Sequence, residues 1–157
     1  MARWPYLGQL VDRHRHCKPY YGHIEQVEID FTPRTDDGTL PQGSYLVQWA
    51  DELMQAMDGF DRSIRLDVNT TRRRLADAGF VDLREEVINF ALNGWPEDPH
   101  RKKLGRWFNL GFIQGLQAFS LAPFARGRGK TLPEIELFLE RVAAEVRSLN
   151  IHAYFQM

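Results

Sequence analysis

The chain has 157 residues and a net charge of −1, and 43% of its residues are hydrophobic. That length suits a single domain, 1–157, with a sizeable core, and the charge balance offers no electrostatic case for nucleic acid or an anionic membrane. One cysteine, Cys17, excludes an internal disulfide, and no apolar run reaches membrane-spanning length.

No apolar signal region follows Met1-Ala2-Arg3-Trp4-Pro5, and a soluble, cytoplasmic protein is expected. Tyr6 to His16 reads as a short amphipathic helix, broken by Pro19 and Gly22. A strand is predicted from about Gly22 to Thr32, stopping at Pro33. Val27, Ile29 and Phe31 share one face of it, while Gln26, Glu28 and Asp30 share the other with Ile24. The acids read either as a solvated face or as the lining of a polar pocket.

After a loop rich in Asp, Gly and Pro, Ser44 is placed to cap a helix running to about Met57. Leu46, Trp49, Leu53 and Met57 recur there at helical spacing. Asn69 is read as the cap of a short helix through Ala78, stopped by Gly79. Phe80 to Leu92 reads as a second strand with a bulge. The longest helix spans about His100 to Phe124, and its apolar residues cover nearly all sides past the first turn. Such a helix is expected to be buried or to cover an apolar cavity. Gly111, Gly115, Ala118 and Ala122 form a small-residue stripe on it, and Asn109, Gln114 and Gln117 are its polar exceptions. Thr131 and Glu134 form a capping box opening a last helix, and Ile151 to Met157 is a third strand.

Most catalytic and binding motifs fail on spacing or context. Gly127-Arg128-Gly129-Lys130-Thr131 ends like a phosphate loop, but Phe124 stands where a glycine is needed and a helix precedes it. His14, His16 and Cys17 lack a second ligand cluster at zinc-finger spacing. Asp36-Asp37-Gly38 lacks the acid spacing of a calcium loop. No glycine-rich turn follows an N-terminal strand to cradle a dinucleotide or an adenosyl cofactor. Neither a metal nor a cofactor is expected.

Several ordered segments resemble the fungal LaeA-like class I methyltransferases. They are Ile24 to Asp30, Pro33-Arg34-Thr35-Asp36-Asp37-Gly38-Thr39-Leu40-Pro41, Ala78 to Asp82, Gly94-Trp95-Pro96 with Asp98-Pro99, Leu104 to Gly111, and Ile151-His152-Ala153-Tyr154. The resemblance spans nearly the whole chain and implies the C-terminal half of that fold, without the glycine-rich donor motif. It implies an α/β remnant: a three-stranded mixed sheet in the order five-seven-six, packed with four to five helices. With strand four missing, the strand at 22–32 would present an unpaired edge. A homodimer through that edge, or through apolar helix faces, is the simplest cover.

Three functions follow from that resemblance. The first is a cofactor-independent enzyme of secondary metabolism acting on an apolar polyunsaturated intermediate, of the cyclase or pericyclase ([4+2], Diels–Alderase) type. Positioning alone supplies much of the acceleration in such a reaction. Its catalytic handles would be His152, Asp30, Glu28 and Tyr154. Its substrate contacts would be Glu25, Trp107, Phe108, Asn109, Phe112, Gln117, Phe119, Trp49 and Tyr45. The alternative is a non-catalytic methyltransferase-like regulator or interaction protein. The third is a fragment of a methyl-donor-dependent methyltransferase.

Overall fold

The computed structural model describes residues 23–157. The helix expected at Tyr6–His16, and the first residue of the strand expected from Gly22, lie outside them. In chain order the elements are β1 (Asp30–Arg34), α1 (Tyr45–Gly59), α2 (Val68–Asp77), β2 (Asn89–Ala91), α3 (Pro99–Ala122), a π-helical turn (Pro123–Gly127), α4 (Leu132–Arg147) and β3 (Tyr154–Gln156).

The sheet order is β1-β3-β2, and β3 pairs antiparallel with both neighbours. The expected mixed sheet is therefore corrected to an antiparallel one. β1 and β2 run the same way, and β3 runs against them between the two. β1 is also shifted and shorter than expected, and Pro33 lies within it rather than ending it. A proline is tolerated on an edge strand, and the β1–β3 register is irregular between Asp30 and Arg34, where the ladder need not receive its missing N–H. The second strand shrinks from Phe80–Leu92 to three residues. β3 is itself only three residues long, so residues upstream of Ile88 have no strand to pair with, and Val81 and Val87 are exposed.

Helix starts follow their side chains. The Ser44 hydroxyl accepts from the N–H of Leu46 at 3.1 Å, as a cap should. At α2 the cap is Asp67, not Asn69, because its carboxylate accepts the Thr70 N–H at 3.0 Å. Asp98 caps α3 through the Arg101 N–H at 2.7 Å, with Pro99 in the first turn. Glu134 reaches back to the Thr131 N–H at 2.8 Å and opens α4.

The core lies between one face of the sheet and helices α1, α3 and α4. Phe31 from the β1 strand meets Trp49 (5.9 Å between centroids) and Phe155 (5.7 Å), and Trp49 meets Phe112 edge-on at 5.2 Å. α3 approaches the β2 loop through Gly105, where a Cβ would collide with the Asn93 carbonyl. The expected all-round burial of α3 is corrected. Phe112, Leu116 and Ser120 face inward, while Trp107 is 64% exposed and Leu110 and Phe119 are also exposed. In the small-residue stripe nothing lies near a Cβ built at Gly111, and the close neighbour at Gly115 is the ring of Phe119 from the same helix rather than another element. Among the described residues, no helix is long and apolar enough to cross a membrane.

Candidate functional site

The carboxyl ends of β1 and β2 and the start of β3 meet at one end of the sheet, with Arg34 and Ala91 both opposite Tyr154. In open α/β sheets ligands bind outside the carboxyl ends of strands. The loop after β1 supplies Asp36, Asp37 and Thr39, the loop after β2 supplies Trp95, and the approach to β3 supplies His152.

Asp37 is the hub. One carboxylate oxygen accepts from the Thr35 hydroxyl (2.9 Å), the Thr39 hydroxyl (2.8 Å) and the Thr39 N–H (3.1 Å), and the other meets His152 Nδ1 at 2.5 Å. Bonds from Thr39 and then from His152 hold its carboxyl well below the usual carboxylate range. His152 also donates its N–H to the Thr39 hydroxyl at 2.8 Å, and its ring stacks on Trp95 at 4.9 Å. Trp95 is fixed in turn, donating its indole N–H to the Ala153 carbonyl (3.2 Å) and its backbone N–H to the Asn93 side chain (3.0 Å). Buried Asn93 anchors this corner. Its amide nitrogen donates to the carbonyls of Val146 and Ser148, at the end of α4. Beside the cluster, Tyr154 donates to Asp36 at 2.7 Å, and that bond raises the phenol's pKa. A pocket of about 220 Å³ opens here, lined by Asp36, Tyr154, Trp95, Asn89, Leu104 and Arg101 among others.

Each component of the cluster is held from behind, so it presents a rigid polar surface. Its free valence is imidazole Nε2, which has no hydrogen-bond partner among the described residues. A ring nitrogen oriented by a carboxylate can exchange a proton or bind a polar group.

The expected site residues scatter. His152 and Tyr154 come together here. Asp30 sits at the far end of the β1–β3 ladder, opposite Gln156, and pairs with Arg34 at 2.8 Å. Burial pushes its carboxyl up, but hydrogen bonds from Thr32 and Arg34 outweigh that and leave it lowered. Glu28 accepts from Gln26 at 2.8 Å, and Glu25 is exposed; both precede β1. Trp49 and Phe112 are core, and Phe108 stacks against Phe112. Asn109 ties α3 to the carbonyls of Leu92 (2.8 Å) and Val146 (2.9 Å). Tyr45 accepts a hydrogen bond from Arg141 at 2.6 Å. Trp107, Gln117 and Phe119 face outward. Asp36, Asp37 and Trp95 are not among the expected site residues, although a pair of acids before a glycine at a strand's carboxyl end is the available signal.

The residues at this end do not make a cradle for an adenosyl methyl donor. The β1 loop carries acids already held by Thr39, His152 and Tyr154, and the β2 loop carries Trp95 and Pro96; neither is a glycine-rich turn entering a helix. Among the described residues there is also no group of three or more His, Cys, Asp or Glu able to hold a metal.

One prediction concerns Asp37. A carboxyl lowered in the folded state stabilises above its unfolded value, about 3.9, and loses that contribution as pH falls below it. The melting-temperature gap between the parent and Asp37→Asn should therefore narrow as pH falls below about 4. A gap that persists undiminished down to about pH 2.5 would show that the carboxylate is not what Thr39 and His152 are holding.

No protein-family model matches the chain, and no solved structure does. It is similar to a protein of Chaetomium globosum named protein-methionine methyltransferase laeA, 54% identical over 98% of this chain and 49% of that protein. The secondary metabolism regulator LAE1 of Cochliobolus heterostrophus is 42% identical over 96% of the chain and 48% of its own length. The secondary metabolism regulator laeA of Fusarium oxysporum is 36% identical over 96% and 47%. These names overturn the expectation of a cofactor-independent cyclase, since the relatives are named as a methyltransferase or as regulators, and they fit the methyltransferase-like regulator better. The chain is LaeA-like in sequence over nearly all of its length, and it spans about half the length of the curated relatives it matches.

Proposed function

We propose that the chain is the acceptor-side half of a LaeA-like, methyltransferase-related regulator of secondary metabolism. The observation that carries this reading is the similarity along 98% of the chain to a relative named as a methyltransferase, and along 96% to relatives named as regulators. β1, β2 and β3 then correspond to strands five, six and seven of a class I methyltransferase sheet. The cluster of Asp36, Asp37, Trp95, His152 and Tyr154 lies at the end where such a sheet meets its acceptor. Contacts to a methyl donor would come from outside this chain, because its own loops at that end are committed to other bonds.

Two measurements test this. Deleting the coding sequence in the source organism should change transcripts of several unrelated secondary-metabolite pathways together, and an unchanged transcript profile would overturn the regulatory reading. Calorimetric titration of the chain with S-adenosylmethionine should give no binding heat. Micromolar binding would overturn the assignment of the chain to the acceptor side alone.

A further inference from the structure

The start of α3 carries charge that no described residue answers with an ion pair. Its first two turns hold His100, Arg101, Lys102, Lys103 and Arg106, and none has an ion-pair partner among the described residues. Cations at a helix N-terminus oppose its dipole, and Lys102 and Arg106 are like charges four residues apart. The cluster therefore costs the helix stability. Glu97 and Asp98 come just before it, but Asp98 is taken up as the helix cap. From Trp107 to Ala125 the chain then has no charge at all.

Two members of this cluster, His100 and Arg101, reach the pocket at the end of the sheet. Phe90, Trp95, Pro96 and Leu104 give the pocket apolar walls, and His100 and Arg101 line its α3 side. Its one carboxylate, from Asp36, already accepts from Tyr154. Trp95 is held in place by the His152 ring and by the Ala153 carbonyl, so that wall is formed before any ligand arrives. At about 220 Å³ the space is smaller than the pockets of drug-sized ligands, which run to about 300–1,000 Å³. It suits a single apolar side chain, with the remainder of the ligand lying outside on the cations.

We infer that this pocket and the start of α3 bind an acidic peptide segment. One large apolar side chain of the peptide enters between Trp95 and Leu104, and carboxylates flanking it meet Arg101 and its neighbouring cations. The apolar walls supply burial, and the charges supply steering and select against basic segments. A duplex nucleic acid fits less well, because the cations cover only the start of α3 and an apolar pocket offers nothing to a phosphate backbone. The inference deepens the acceptor-side reading, on which it rests for calling the peptide an acceptor. Binding to the isolated chain and transcripts in the organism are separate readouts, so either can fail alone.

Fluorescence anisotropy on the whole chain tests it with labelled peptides of one design. The first has a central leucine between two runs of glutamate. The second has serine in place of the leucine, and the third has lysine in place of every glutamate. The first should bind at least about tenfold more tightly than either of the others, and its binding should weaken as salt rises. Leu104→Ser should remove the preference for leucine over serine. Arg101→Glu with Lys103→Glu should weaken binding by about tenfold or more. All three positions are exposed, and acids in the first turns suit the helix dipole, so the variants should keep the parent's melting temperature and unfolding cannot mimic the loss. No binding of the first peptide overturns the inference. Equal binding of the serine peptide also overturns it, since charge alone would then be acting. A labelled DNA duplex that binds more tightly than the first peptide would overturn it in favour of a nucleic-acid surface.

Discussion

Trp49→Ala should cost about 3–5 kcal/mol of folding stability, the range for deleting a large buried aromatic. Trp49 has 0% exposure and sits where α1 meets both the sheet and α3. Its ring meets Phe31 and Phe112 edge-on, and each such contact is worth about 0.5–1.5 kcal/mol beyond the area it buries. Its indole N–H donates to the Ser120 hydroxyl at 2.8 Å, and that hydroxyl donates to the Leu116 carbonyl at 2.6 Å. Alanine therefore leaves a cavity and also removes the donor that Ser120 accepts from in an otherwise apolar centre. Trp49→Phe keeps most of the volume and loses only the N–H, so it should recover more than half of the loss. Equilibrium urea unfolding measures both variants. A Trp49→Ala loss below about 1 kcal/mol would place the indole outside the core.

That residue shows where the sequence is legible and where it is not. The spacing of Leu46, Trp49 and Leu53 announces a buried helix face, and the face is buried. Spacing cannot tell a side chain that lines a pocket from one that fills the core, and Trp49, read as a substrate contact, is fully packed. Helix starts were readable at Ser44 and at Thr131 with Glu134 because each signal acts within four residues. Strand lengths were not, because a ladder extends only as far as its partner. Phe80–Leu92 has the composition of a strand, yet only Asn89–Ala91 finds β3.

The candidate site has the same logic. His152 and Tyr154 were readable as polar residues on a closing strand. Their partners Asp37 and Asp36 lie 115 and 118 residues earlier, and no local pattern joins them. The expected acids, Glu28 and Asp30, stand out in the sequence because a strand with one acidic face is unusual. Asp30 satisfies itself within four residues through Arg34.

Glu145→Ala should cost about 3 kcal/mol of folding stability. No sequence motif marks this residue, since its partners lie about a hundred positions away. From α4, one carboxylate oxygen accepts from the Ser44 hydroxyl at 2.6 Å and the Leu46 N–H at 3.0 Å, and the other accepts the Tyr45 N–H at 3.0 Å. These donors belong to the start of α1, where no intrahelical acceptor exists, and the positive end of the helix dipole favours the carboxylate. Ser44 shares the task through its own hydroxyl, but it is 1% exposed, so water cannot replace Glu145 there. A hydrogen bond to a charged group contributes about 1.5–3 kcal/mol, and the three bonds share donors already partly satisfied by Ser44, so their sum falls short of three full contributions. At about 2–4 °C per kcal/mol for a chain of this size, the midpoint should fall by roughly 6–12 °C. Glu145→Gln keeps one acceptor oxygen and loses the charge, and should fall by about half as much. Thermal unfolding of the three proteins separates the possibilities. Equal losses for alanine and glutamine would assign the whole effect to charge, and no loss in either would remove Glu145 as the cap that joins α4 to α1.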